Sequence, residues 1–231
     1  MFHPFIDPLQ IVFLLPALFL SLIATILIKY WSGKYLNQAN ISRTTGVDLV
    51  NRVAQKEHLD LRLDVINGSL TDNYDPRSRT LNLSYDVARG ASITSVAIAA
   101  HELGHAIQHQ KGSFLMTIRS MLLPALGIGT NLGYILLIIG IIINFTNLAW
   151  LGIILFSGAV IFSFLTLPIE LDASRRGLAL LRNEEILFAD EMSGAKKVLF
   201  AAALTYLAAA LQSLGQLLYF VLRVQRIGKR N

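Results

Sequence analysis

A mainly α-helical membrane protein with three to four transmembrane helices and one small α+β domain is the fold class that this chain predicts. Three observations carry the prediction. Apolar residues fill 54% of the 231 positions and charged residues only 15%, against about 45–50% and about 25% in ordinary globular domains. Three uncharged runs are long enough to cross roughly 30 Å of hydrocarbon at about 1.5 Å per helical residue. Soluble character is confined to one long stretch, residues 42–119.

The first run, Ile11 to Ile28, ends on Lys29, Tyr30 and Trp31, a basic and aromatic boundary of the kind found at a membrane interface. Residues 1–10 hold no Lys or Arg, whereas a secretory signal starts with positive charge, so an uncleaved anchor is expected. In the soluble stretch, Val47, Val50 and Val53 have helical spacing. Leu59 to Val65 alternates as a strand with one wet face, Asn67 to Pro76 is turn-rich, and Thr80 to Tyr85 alternates again. Ser92 is a plausible N-cap for a buried helix over Ile93 to Gln110. The second run, Met121 to Ile143, carries glycines at 127, 129, 133 and 140, which permit close helix contact. Only residues 144–147 separate it from the third, Leu148 to Leu167, so the two form an antiparallel hairpin. Val198 to Leu222 is a weaker fourth candidate, alanine-rich, interrupted by Gln212 and Gln216, and followed by four cations.

Cytoplasmic loops collect Lys and Arg. Residues 29–119 hold eleven and 168–197 hold five, while 1–10 and 144–147 hold none. The two charged stretches are therefore expected on the cytoplasmic side. Cations at 223, 226, 229 and 230 run against this pattern if the fourth helix crosses. The net charge of +5 is thus mainly topological, and its scatter argues against nucleic acid. The absence of cysteine excludes a disulfide scaffold, a thiolate metal site and a cysteine nucleophile. A transporter is disfavoured because the runs contain neither intramembrane charge nor paired broken helices.

The chemistry lies in His101-Glu102-Leu103-Gly104-His105. Two histidines four residues apart stand one turn apart on one helical face, so both imidazoles can reach one Zn²⁺. Glu102 is rotated about 100° from His101, beside the ion, and suits the role of general base toward a zinc-activated water. Three of the five histidines fall within nine residues, which a chance string on an amphipathic helix does not explain well. A catalytic zinc needs a third protein ligand and an open fourth position. His109 lies on the same face, but three ligands on one straight helix spread over about 12 Å, so packing, ligand orientation or substrate contact is the better reading. The metzincin pattern is missing, since Gln108 and Lys111 stand where it requires Gly and His. Glu170 is the other candidate: it follows the third run, whereas the histidines follow the first, so both emerge on one side of the bilayer. Its alternative reading is a carboxylate at a helix start beside Pro168, favoured by the macrodipole. Asp172 is expected to orient a histidine or pair with Arg176.

Leu70 to Pro76, Leu83-Ser84, Ala99 to Gln108, Glu170 to Arg176 and Ala201 to Tyr206 together resemble the YugP-type neutral zinc metallopeptidases of bacterial membranes, in order over nearly the whole chain. More distantly, the arrangement is similar to HtpX-like membrane peptidases. The resemblance implies a zincin-like (gluzincin) domain, Zn²⁺ as cofactor, His101, His105 and Glu170 as ligands and Glu102 as base. In the HtpX pattern an aspartate stands four residues after the ligand glutamate; Ser174 occupies that place here, and Asp172 is its possible substitute.

The expected organisation is an anchor at 1–29, a metallopeptidase domain at 30–120, a transmembrane hairpin at 121–167, a third-ligand helix and loop at 168–197, and an alanine-rich helix with a basic tail at 198–231. The expected function is membrane-embedded zinc endopeptidase, cleaving peptide or protein substrates, some of them membrane proteins, from a bacterial-type plasma membrane with the site on the cytoplasmic side. The alternative is a membrane scaffold with a structural metal; an unligated glutamate beside a three-ligand set favours the enzyme, because structural zinc sites are usually closed by four ligands. Mn²⁺, Fe²⁺ or Co²⁺ also suit a two-histidine, one-carboxylate set. Thr80 to Tyr85 is the natural edge for an added substrate strand. Tyr206 is a candidate oxyanion donor, although packing is the commoner role. Asp72 and Asp75 read as turn residues rather than as a second metal site.

Overall fold

The computed structural model describes residues 7–229; His3 and Arg230 lie outside them. The elements in chain order are α1 (Pro8–Leu36), α2 (Gly46–Lys56), β1 (Arg62–Ile66), β2 (Asn73–Asp75), β3 (Thr80–Ser84), α3 (Tyr85–Arg89), α4 (Ile93–Gln110), α5 (Phe114–Ile142), α6 (Thr146–Asn183) and α7 (Ala189–Gly228). Four of them, α1, α5, α6 and α7, are long and apolar enough to cross a membrane, so the fourth candidate joins the other three on length and composition. The chain divides into two compact units. One comprises residues 1–23, 121–167 and 204–231, and the other 24–120 and 168–203.

In the first unit, the α5–α6 hairpin closes through its glycines. A Cβ on Gly152 would lie 2.5 Å from the Leu137 nitrogen, and one on Gly140 the same distance from the Ala149 nitrogen. Small residues at these points let two backbones touch, the usual basis of helix association in lipid. Leu137, Ala149, Ile153, Tyr219, Phe220 and Val224 form the buried cluster. Arg223 reaches Asp7 at 3.4 Å, so one of the four C-terminal cations that oppose the charge pattern is locally compensated.

The second unit packs α2, α3, α4 and the 168–203 segments around Leu49, Val53, Leu81, Leu83, Leu103 and Leu181. α2 starts with a capping box between Thr45 and Asp48, which satisfies its first free N–H groups. α4 begins at the Ser92 cap, whose hydroxyl accepts from the Ser95 N–H. The sheet has the order β1-β3-β2, with β1 parallel and β2 antiparallel to β3. Two expectations are corrected here. The turn-rich segment contains a third strand, β2, formed where Tyr74 pairs with Leu81. Consequently Thr80–Ser84 is the central strand, paired on both sides, and cannot accept an added strand; the edges are β1 and β2.

Pro168 does not start a helix. α6 runs unbroken through it from Thr146 to Asn183, a tolerance typical of helices that cross lipid. Glu170 is therefore a mid-helix residue, and the macrodipole reading of it fails.

Candidate metal centre

α4 and α6 meet backbone to backbone in the second unit. A Cβ on Gly104 would overlap the Ala173 carbonyl oxygen, and one on Gly177 would stand 2.8 Å from that of Ala100. Glycine is therefore required at both positions for the crossing. That contact brings Glu170, one turn before Ser174, against the histidine face of α4.

His101, His105 and Glu170 converge, with one potential ligand atom from each, all within 4.8 Å of one another. Glu170 Oε2 lies 3.2 Å from His101 Nε2 and 3.4 Å from His105 Nε2. Ligands at about 2.0–2.1 Å from a tetrahedral ion stand about 3.3 Å apart, which matches both separations. The two rings are nearly perpendicular, with centroids 4.8 Å apart. Glu170 is 2% exposed, yet neither of its oxygens has a well-directed hydrogen bond from any described residue. Arg119, on α5, balances part of its charge, with Nη1 3.0 Å from Oε1.

Hydrogen bonds orient both imidazoles and set the Nδ1 proton of His105. Gln108 Nε2 donates to the Ile169 carbonyl and to Asp172 Oδ2, each at 2.9 Å. Both partners only accept, so the amide orientation is set and Oε1 must face His105 Nδ1, at 3.0 Å. His105 therefore carries a proton on Nδ1, which leaves Nε2, the nitrogen facing Glu170, as its ligand atom. Ser174 Oγ takes the same position for His101, 3.1 Å from Nδ1. A divalent ion that prefers nitrogen and oxygen ligands fits this donor set.

Glu102 lies just beside the trio and is also buried. Burial pushes its carboxyl up to about 7; the neighbouring Glu170 and Asp72 charges act in the same direction, while His101 and the Tyr74 backbone N–H oppose them. A carboxyl held there can both accept and return a proton near neutral pH.

The remaining candidates are distributed as follows. Asp172 binds Arg176 at 2.6 Å as well as Gln108, so it supports His105 through the amide instead of touching it. His109 points to β2, with Nδ1 2.9 Å from the Tyr74 hydroxyl, and is not part of the trio. Tyr206 is half-buried on α7 and belongs to the other unit. Asp72 accepts from the Ser84 N–H and hydroxyl, and Asp75 from the Arg77 N–H and the Ser78 hydroxyl, which is turn chemistry. Arg119, Gln108 and Tyr74 were not singled out by sequence reasoning. Gln108 carried a usable signal, being three residues past His105 on one face; Arg119 carried only its isolation at the start of an apolar run.

Residues 10–225 match the model of a family described as "Putative neutral zinc metallopeptidase". The chain is 40% identical over 207 residues to "Putative membrane protease YugP" of Bacillus subtilis (strain 168), covering 89% of this chain and 92% of that protein. No solved structure matches.

Proposed function

The chain belongs to this zinc metallopeptidase family, and on that premise we propose that it is a membrane-embedded endopeptidase with a zincin-like site formed by α4 and α6. The observation that carries the reading is the buried Glu170 oxygen shared by two imidazole nitrogens, with Glu102 beside them. His101, His105 and Glu170 hold the ion, for which Zn²⁺ is the natural choice. When bound, such an ion acidifies water and polarises a peptide carbonyl. Glu102 takes the proton of the attacking water and passes it to the departing amine. Gln108 holds His105 in the required tautomer and Ser174 steadies the His101 ring, Asp172 anchors Gln108, and Arg119 keeps Glu170 ionised and aimed.

The two cation-rich stretches that hold the site residues, 29–119 and 168–197, support a cytoplasmic orientation. A reporter fused in the 144–147 turn should report the opposite face. The catalytic reading is tested by casein or peptide cleavage by purified protein, with and without Glu102→Gln. Loss of cleavage with metal retained is expected; unchanged cleavage overturns the assignment.

A further inference from the structure

Away from the trio, the second unit contains a groove of about 490 Å³ between the faces of α6 and α7. Its walls are Leu171, Leu178 and Arg182 on α6, and Lys196, Leu199 and Phe200 on α7. The short 184–188 connection makes the two helices antiparallel neighbours. Measured along the helices from that connection, Arg182 is nearest to it, Leu178 and Lys196 stand about 7–11 Å along, and Leu171, Phe200 and Ala203 lie at the far end. The apolar end is the one from which each helix continues into its uncharged run, 148–167 in α6 and 204–222 in α7.

Two features call for a ligand. Leu171 and Phe200 are 57% and 63% exposed, and large apolar side chains at a groove are costly in water. Arg182 and Lys196 are exposed and have no ion-pair partner among the described residues, whereas Arg175 is held by Asp172 and Lys197 lies over the Trp31 ring. The chemistry thus runs from hydrocarbon to cation along one axis. An extended peptide would need backbone hydrogen-bonding partners. Helix faces offer few, and the one hydroxyl in the wall, Ser174, is engaged by His101.

We propose that this groove binds one anionic glycerophospholipid, its phosphate between Arg182 and Lys196 and its acyl chains along Leu199 and Phe200 toward Leu171. Basic pockets at the membrane boundary recognise such headgroups through charge, and the apolar wall accepts the chains. The site does not depend on the peptidase reading, although Ser174 lines it on one side and holds His101 on the other.

Native mass spectrometry of the full-length protein in detergent, with phosphatidylglycerol or phosphatidylcholine of matched chains, tests it. Phosphatidylglycerol should be retained about tenfold better, and Arg182→Gln with Lys196→Gln should remove that preference. Arg77→Gln, which removes one cation at an exposed turn and so matches each single variant in charge, should keep it, and Phe200→Gln should weaken retention of both lipids. The single variants should give intermediate losses, which keeps the test usable if the double variant folds poorly. Glu102→Gln should bind as the parent does, so this result and the cleavage assay are read separately. Equal retention of the two lipids overturns the proposal, as does a double variant no worse than Arg77→Gln. Displacement of phosphatidylglycerol by inorganic phosphate alone overturns it in favour of a plain anion site. Retention of an acidic peptide in place of the lipid overturns it in favour of a polypeptide groove.

Discussion

The two units keep their helices together by different means. In the span unit, the α5–α6 hairpin closes on glycine and alanine contacts and a small apolar cluster, and its ion pair, Asp7 with Arg223, ties the start of α1 to the end of α7. In the other unit, the α4–α6 crossing also needs glycines, but it buries Glu170, Glu102, His105 and Gln108. Helices apolar enough to cross a membrane would gain no hydrophobic drive from lipid, so close packing suits the first case. In the second, apolar packing leaves a surplus that carries a set of buried polar groups, each held by a named partner or by a cation. Mutations should therefore act on stability in one unit and on metal and catalysis in the other.

The largest contrast is expected from Glu102→Gln, which should lower peptide cleavage by about 10²–10⁴-fold while leaving metal content and thermal unfolding near the parent values. Next, Gln108→Ala should weaken metal affinity by about 10–100-fold, because His105 loses the bond that sets its tautomer. A chelator titration followed by elemental analysis reads this, and Ser174→Ala should shift it in the same direction by less. In the span unit, Gly152→Ala should cost about 1–3 kcal/mol, since its Cβ would overlap the Leu137 backbone. Gly127→Ala, where nothing lies within 4 Å, should be close to neutral. Thermal unfolding in detergent separates the two, and neither should alter bound metal. The smallest effect belongs to Arg223→Gln, at most about 1 kcal/mol, because the pair is partly exposed. Equal loss of metal from Gly152→Ala and Gln108→Ala would erase the distinction between the units.

Much of this was legible in the chain, and the reasons differ by element. α4 was readable to its ends because Ser92 caps it and its alanines and histidines have one period. The hairpin was readable because a four-residue link leaves one topology. Glu170 was readable from crossing parity, which needs no side-chain geometry. β2 was hidden because three residues rich in Asn and Asp read as a turn, and only pairing with β3 makes them a strand. The Thr80 edge was misjudged for the same reason. Pro168 suggested a boundary, but α6 runs through it unbroken. Arg119 is 51 positions from Glu170, and Gln108 is 64 from Asp172, so their pairings arise from the meeting of α6 with α5 and with α4 respectively and carry no local pattern.

The central claim is that two imidazoles and the Glu170 carboxylate grip one divalent ion. Elemental analysis of the protein purified without added metal, beside Glu170→Gln handled identically, tests it most directly. A stoichiometric ion, zinc foremost, in the parent and its loss from the variant are predicted. A parent that neither carries nor takes up a divalent ion, or a variant that retains it in full, would contradict the account.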